Sequence, residues 1–324
     1  MFDETIGVLM GGDSAEREIS LRSGSAVSAA LREKGYRVKE FTQMDHIISD
    51  LERFNIKLVF IALHGCFGED GTIQKKLDDA GIAYTGSGFE ESARAFNKVN
   101  AKSFFQRHLV PTPLWAIASD RGRTITIYPD GQQENIDYQY LRNYIHMPVA
   151  IKPINEGSSI GVRKVQTFEE LESILQSEDR YPELMIEEWI GGRELTVGIL
   201  SKQALPIIEI KTPRSFYDFE AKYVSTDTQY CVLNDLPENI SNRVQKHALE
   251  AHNALGCRDM SRVDIMLDSS GHDWVLEINT IPGFTNKSLF PKAAAAVGIV
   301  FNDLCERILL LAAERKLHIG KAHI

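Results

Sequence analysis

Arg262-Val263-Asp264-Ile265-Met266-Leu267 and Trp274-Val275-Leu276-Glu277-Ile278-Asn279, separated by Asp268-Ser269-Ser270-Gly271-His272-Asp273, read as the two strands of a β-hairpin. Side chains on a strand alternate between faces, so Arg262 and Asp264 share one face, and Glu277 and Asn279 share one face of the partner strand. Symmetric folding about the turn sets Asp264 opposite Glu277. Two carboxylates facing each other across a ladder repel, and a cation between them relieves the repulsion. Two carboxylates and an amide are hard oxygen donors of the kind magnesium prefers, with water and phosphate completing its shell. Asp264, Glu277 and Asn279 are therefore the candidate metal ligands. Alternation alone also fits a solvent-facing hairpin. The site is favoured because Thr280-Ile281-Pro282-Gly283-Phe284-Thr285 begins where the hairpin ends and can offer backbone N–H groups to an anion.

Upstream lies a second anion-binding pattern. The apolar run Val149-Ala150-Ile151 ends in Lys152-Pro153, and Glu156-Gly157-Ser158-Ser159-Ile160-Gly161 follows. Small residues let backbone amides approach a polyphosphate, and a strand-borne lysine adds positive charge. Singly, Lys152 is equally a snorkelling strand end and the loop an ordinary turn; together they suggest a phosphate site. Met185-Ile186-Glu187-Glu188-Trp189-Ile190 reads as a strand and hinge. There is no G-x-x-x-x-G-K-[ST] and no G-x-G-x-x-G, which argues against a P-loop or a standard dinucleotide site.

Further out, residues 5–10 form an apolar strand running into Gly11-Gly12-Asp13, with a helix over 15–34. A second strand at 58–63 ends in His64-Gly65 and leads to a helix over 72–80. Alternating strand and helix predicts a doubly wound parallel sheet. A helix over 98–108, a polar, proline-marked stretch to about 146, a strand at 148–152, a helix near 168–177 and a strand at 183–188 define a second lobe. The expected division is 1–97, 98–189 and 190–324. Thr212 to Asp235 is long, polar and aromatic, which suits a loop closing over reactants.

Composition sets the outer bounds. A net charge of -9 with pI near 5.6 disfavours general nucleic-acid binding, which needs clustered Lys and Arg. Apolar runs such as 57–63 and 308–313 are far below the roughly 20 residues that span a bilayer. No basic n-region precedes an apolar h-region, so a cytoplasmic location is expected. Cys66, Cys231, Cys257 and Cys305 are widely spaced, which predicts buried free thiols rather than disulfides or a zinc site.

These patterns converge on a resemblance. The chain resembles the D-alanine:D-alanine ligases over nearly its whole length. The match is carried by Leu9-Met10-Gly11-Gly12-Asp13-Ser14-Ala15-Glu16-Arg17-Glu18, Ala62-Leu63-His64-Gly65, Gly68-Glu69-Asp70-Gly71 and Tyr84-Thr85-Gly86-Ser87-Gly88. Lys152-Pro153, Glu156-Gly157-Ser158-Ser159, Phe216-Tyr217-Asp218-Phe219-Glu220-Ala221-Lys222-Tyr223, the hairpin, Asn279-Thr280 and Pro282-Gly283 complete it in one order.

The resemblance implies an α/β, three-lobed ATP-grasp fold. An N-terminal doubly wound sheet would precede two α+β lobes that enclose ATP, and D-alanine would bind where all three lobes meet. It implies that Lys98 and Lys152 hold the α and β phosphates, with Glu156, Ser158 and Ser159 in the loop above them. Glu187, Trp189 and Ile190 would lie about the adenine, Glu194 at the ribose and Lys222 at the γ-phosphate. Asp264, Glu277 and Asn279 would hold magnesium or manganese, as two ions. Arg262, Lys222 and the Gly283 N–H would stabilise charge developing in the reaction.

For the substrates, the resemblance implies that Glu16 pairs with the first D-alanine's ammonium, oriented by Ser158 and Tyr223, with His64 nearby. Ser288 and Leu289 would meet the second carboxylate. Asp13-Ser14-Ala15-Glu16 also has capping-box form, a purely local use of Glu16. Tyr223, which is otherwise aromatic packing, favours D-alanine over D-lactate as acceptor, since ester-forming relatives tend to have histidine there. Cys66-Phe67 and Thr285-Asn286-Lys287-Ser288-Leu289 depart from the usual pattern around the substrate pocket. A homodimer is the implied assembly, and a nucleotide-binding regulatory module without turnover is the alternative from another class.

Overall fold

The computed structural model describes residues 4–129, 132–213 and 227–321, and these form three sheets. The whole block 216–223, Lys222 and Tyr223 included, lies outside the described residues.

The first sheet is built by alternation. β1 (Ile6–Leu9) feeds α1 (Arg17–Glu33), β2 (Val38–Phe41) feeds α2 (Ile47–Arg53), β3 (Leu58–Ile61) feeds α3 (Thr72–Asp79), and β4 (Ala83–Tyr84) follows. All the pairings are parallel, in the order β2-β1-β3-β4. β1 and β3 are wholly buried, as strands covered on both faces must be. Ile6, Val8 and Phe60 pack toward α1, while Leu9, Val59 and Ile61 pack toward α2 and α3. This is the doubly wound sheet the sequence predicts. Gly24 lets α1 lie against the end of β1, because a Cβ there would sit 2.4 Å from that of Met10.

Two helices, α4 (Phe89–Phe96) and α5 (Lys98–Arg107), lead to the second sheet. Its strands are β5 (Trp115–Ser119), β6 (Thr124–Ile127), β7 (Glu134–Ile136), β8 (Val149–Pro153), β9 (Arg163–Val165) and β10 (Glu183–Glu188). They pair antiparallel in the order β7-β6-β5-β10-β8-β9, with α6 (Tyr138–Tyr144) and α7 (Phe168–Ser177) on one face. The span to residue 146, read from sequence as a polar stretch, in fact holds three strands and a helix. Its strands are short and are separated by a tight turn in which Asp120, Arg121 and Gly122 all have positive φ. That breaks the run needed for a periodicity signal.

β11 (Gly192–Leu200), β12 (Gln203–Ala204), β13 (Ile208–Lys211), β14 (Gln229–Val232), β15 (Met260–Asp268) and β16 (Asp273–Asn279) make the third sheet, also antiparallel. The expected closing loop 212–235 therefore includes a strand, β14, beyond its undescribed part. α8 (Glu238–Ala254) covers the face formed by Val197, Val263, Ile265 and Ile278, each nearly fully buried. Burying such a side chain contributes roughly 1.5–3 kcal/mol, so this apolar face holds the sheet while leaving the opposite face free for charge. α9 (Leu289–Ala295) packs beside β11, and α10 (Phe301–Lys321) returns to pack against α1 and β4 of the first sheet.

No helix among the described residues is long and apolar enough to cross a membrane. The four cysteines are free, but Cys66 is exposed and Cys231 half-buried, so only Cys257 and Cys305 are the buried thiols the sequence suggested. Cys66 follows Gly65 in a turn of positive φ that carries the chain outward.

Candidate active site

The hairpin pairs Arg262 with Asn279 and Asp264 with Glu277. The expected opposition is present, but symmetry does not produce it. Asp273 belongs to the strand and pairs with Leu267, so the turn is shorter than the sequence suggested, and the register shifts between Asp264 and Ile265. Asp264 faces Glu277 while Ile265 faces Val275, which leaves Leu276 as the extra residue of a β-bulge. Leu276 and Glu277 therefore both line cavities, a local consequence of re-aiming the strand.

Asp264 is buried and held from two sides. The Arg262 guanidinium donates to both its oxygens, at 2.9 and 2.7 Å, and the Thr196 hydroxyl donates at 2.6 Å. Asn279 Oδ1 accepts from the Ile281 N–H at 2.8 Å. Among the described residues no three His, Cys, Asp or Glu side chains cluster as a metal site; the candidate set is the two carboxylates and the amide of Asp264, Glu277 and Asn279. The set is all oxygen, on one face of the ladder, which suits a hard divalent cation.

Two cavities meet here. One, of about 510 Å³, is a cleft between the second and third sheets, lined by Lys98, Lys152, Glu156, Ser159, Glu187, Trp189, Ile190, Glu194, Asp264 and Glu277. The other, of about 680 Å³, is lined by Glu16, His64, Lys98, Gly157, Ser158, Arg262, Glu277, Asn279, Gly283, Lys287, Ser288 and Leu289. Lys98, Glu156, Leu276 and Glu277 border both.

In the cleft, β8 and β10 pair antiparallel and bring Lys152 to the Glu187 carboxylate. Lys102, from α5, meets the same carboxylate from the protein interior. Glu187 and Lys102 are each 1% exposed. Burial alone would raise the Glu187 carboxyl, but the two lysines outweigh it and hold it below the ordinary carboxylate range. Burial, with repulsion from Lys152, pulls Lys102 down to about 8, Glu187 offsetting only part. Lys152 is also penalised by burial, yet Glu187 overrides this and raises it. Lys98 Nζ donates to the Glu156 carbonyl at 2.5 Å.

The loop after Lys152 crosses to the other cavity. Ser158 and Ser159 adopt left-handed backbone conformations, at φ 51° and 60°, strain that side chains rarely accept without compensation. The Ser158 hydroxyl donates to the Glu16 carboxylate. Gly157 leaves room for this approach, since a Cβ there would lie 3.2 Å from Glu16 Oε2. Glu16 stands at the N-terminus of α1, but its side chain caps nothing; it accepts from Ser158, and its own N–H donates to Ser14 Oγ at 3.2 Å.

Beneath Glu16, His64 is buried between Ser23, 3.1 Å from Nε2, and Glu69, 3.4 Å from Nδ1. Burial opposes the imidazolium, but Glu69 and the charge on Glu16 raise His64 above the ordinary histidine value. Ser23 Oγ also accepts from the Phe284 N–H at 3.2 Å, which fastens the 280–285 loop to the first sheet. Ser288 Oγ accepts from the Thr285 N–H at 3.1 Å, and Gly283 lies against it.

Lys102 and Thr196 were not among the residues singled out from sequence. A signal existed for Lys102: Lys98 and Lys102 are i,i+4 neighbours on one helix face. Thr196 sits in an apolar strand and has no sequence signature.

Three sheets with a charged cleft between the second and third define a three-lobed ATP-grasp fold, and the comparisons agree. Family models described as D-ala D-ala ligase C-terminus and D-ala D-ala ligase N-terminus match residues 126–310 and 39–87. A D-alanine–D-alanine ligase of Alkalilimnicola ehrlichii is 44% identical over 312 residues, 96% of this chain and 95% of that one. The crystal structure of the D-alanine–D-alanine ligase from Bacillus anthracis aligns with a TM-score of 0.83 at 33% identity, covering 98% of this chain and 100% of that one. The structure of that ligase complexed with ATP gives 0.82 at 32%, covering 99% and 100%. The chain belongs to the D-alanine–D-alanine ligase family.

Proposed function

We propose that this chain joins two D-alanines into D-alanyl-D-alanine, with ATP converted to ADP and phosphate, as a step in making cell-wall precursors in the cytoplasm. The observation that carries the reading is Glu277. It borders both the cleft suited to a nucleotide and the cavity suited to small amino acids, so a phosphoryl group can pass between them at one point.

In this reading Lys98 and Lys152 hold the α and β phosphates and Lys222 the γ-phosphate. Glu187, Trp189 and Ile190 receive the adenine, and Glu194 the ribose. Glu16, positioned by Ser158 and Tyr223, takes the first D-alanine's ammonium, and His64 supports that end of the cavity. The carboxylate of the first D-alanine attacks the γ-phosphorus, ADP leaves, and the amine of the second D-alanine displaces phosphate from the acyl phosphate. Ser288 and the Leu289 backbone orient the second carboxylate. Arg262 and the Gly283 N–H stabilise charge on the tetrahedral oxygen. Asp264, Glu277 and Asn279 fit a magnesium or manganese ion by their donor chemistry, and two such ions, when bound, would supply neutralisation of phosphate charge. Arg262 then shares Asp264 with the metal. Domains at 1–97, 98–189 and 190–324 and a homodimer complete the proposal.

The test is incubation of purified protein with ATP, magnesium and D-alanine, reading phosphate release and the product mass, with L-alanine and D-lactate as competitors. The dipeptide is expected. ATP binding without D-alanine-dependent phosphate release would replace the reading with a regulatory one, and a depsipeptide outpacing the dipeptide near neutral pH would replace the acceptor.

A further inference from the structure

Glu187 carries one negative charge and faces two ammonium groups. Lys102 reaches it from α5 and Lys152 from β8, so Glu187 alone pairs with two cations, while Glu277 acts on both from further off and Glu194 on Lys152. The two differ in what surrounds them. Lys102 is sealed off, 1% exposed, with its Nζ also donating to Thr112 Oγ1 at 2.5 Å. Lys152 stands at the wall of the cleft with 14% of its side chain exposed. Thr112 in turn donates to the Val275 carbonyl at 2.8 Å, and the Val275 N–H donates to the Pro111 carbonyl at 2.8 Å. Lys102 is thereby tied to the back of the hairpin as well as to Glu187, and cannot follow a ligand into the cleft.

We propose that Lys102 is a positioning residue for the nucleotide: it stays as the counterion of Glu187 when Lys152 turns from Glu187 to the phosphates. The inference rests on the nucleotide reading of the cleft. A buried carboxylate stripped of its only partner is costly, so without Lys102 every nucleotide would have to compete with Glu187 for Lys152. With Lys102 present, Lys152 exchanges one anion for another and Glu187 remains paired and ionised beside the adenine.

ADP binding by calorimetry, together with KM values for ATP and D-alanine, tests this in Lys102→Met, with folding followed by circular dichroism and thermal melting. The expected result is ADP affinity lower by on the order of 100-fold, a matching rise in the KM for ATP, and a KM for D-alanine within about twofold of wild type. The conservative variant Lys102→Arg keeps a cationic counterion on Glu187, and should fold and retain most of the wild-type ADP affinity. It also serves if Lys102→Met does not fold. A folded Lys102→Met that binds ADP as wild type does overturns the inference, as does a folded Lys102→Arg whose ADP affinity is 100-fold down, or equal rises in both KM values. Failure of the wild-type chain to bind ADP would instead remove the nucleotide reading, and the inference with it.

Discussion

The cleft around Lys152 and Glu187 is walled mainly by strands of two adjoining sheets, whereas the cavity around Glu16 and His64 is completed by α1 and by loops from opposite ends of the chain that close over the hairpin. The first holds its charges against one another: Glu187 with two lysines, Asp264 with Arg262, Arg193 with Glu209 at 2.7 Å. The second sets hydroxyls and a backbone N–H beside its charged groups, as with Ser158 on Glu16 and Ser23 between Phe284 and a His64 that also faces Glu69. Strand-built walls keep highly charged groups in fixed register for a polyanion. Loop-built walls can adjust around small zwitterions, but depend on the docking of the first sheet onto the third. Glu277, with Lys98, Glu156 and Leu276, is where the two designs join.

The largest effect should come from breaking that junction. Glu277→Gln keeps size and hydrogen-bonding capacity but removes the charge facing Asp264. Phosphate release with ATP, magnesium and D-alanine should fall by about a thousandfold, with the melting temperature little changed. Turnover within tenfold of wild type would mean that the cavities do not share a reacting centre at Glu277.

A smaller and more selective loss is expected on the loop-built side. Glu16→Gln removes the carboxylate that accepts from Ser158 and would meet the substrate ammonium. The KM for D-alanine should rise roughly 10- to 100-fold, the range of a hydrogen bond to a charged group, while ADP affinity stays unchanged. If ADP affinity fell equally, the contrast between the cavities would be lost, since Glu16 would then be supporting both.

The same contrast explains what could be read from sequence. Asp264, Glu277 and Asn279 stood out because strand periodicity is a two-residue rule, and neighbouring strands preserve it. Even so, the bulge at Leu276 was invisible: an extra residue in a ladder is a property of the pairing, not of either strand. Glu187 is placed beside the adenine by the resemblance alone, its own stretch reading only as a strand and hinge. That its charge is shared by Lys102 and Lys152 follows from an antiparallel pairing and a helix packed behind it, neither encoded in local pattern. The three strands between Trp115 and Ile136 were missed because short strands around a positive-φ turn give no periodic signal. Glu16 and Ser158, far apart in the chain, were linked by resemblance alone, and their hydrogen bond depends on a tertiary contact that no spacing rule predicts.

The smallest expected effect concerns a residue behind both cavities. His252, on α8, is 2% exposed, and its Nδ1 lies 2.7 Å from Ser261 Oγ, on the face of β15 opposite Arg262 and Asp264. Burial opposes its charged form and lowers it to about 4 from an ordinary 6.5. Between those values the unfolded chain binds a proton that the folded chain refuses, so stability falls as pH drops from 6.5 toward 4, by at most on the order of 3 kcal/mol. In His252→Gln, which keeps polar capacity at Ser261 without the titration, the melting temperature should lose less over that range than in wild type. Because the hairpin serves both cavities, the acid loss in wild type should weaken ADP binding and D-alanine binding in step. An unchanged acid slope in the variant would show that His252 is not the group that protonates, and a loss confined to one cavity would show that the hairpin does not couple the strand-built side to the loop-built one.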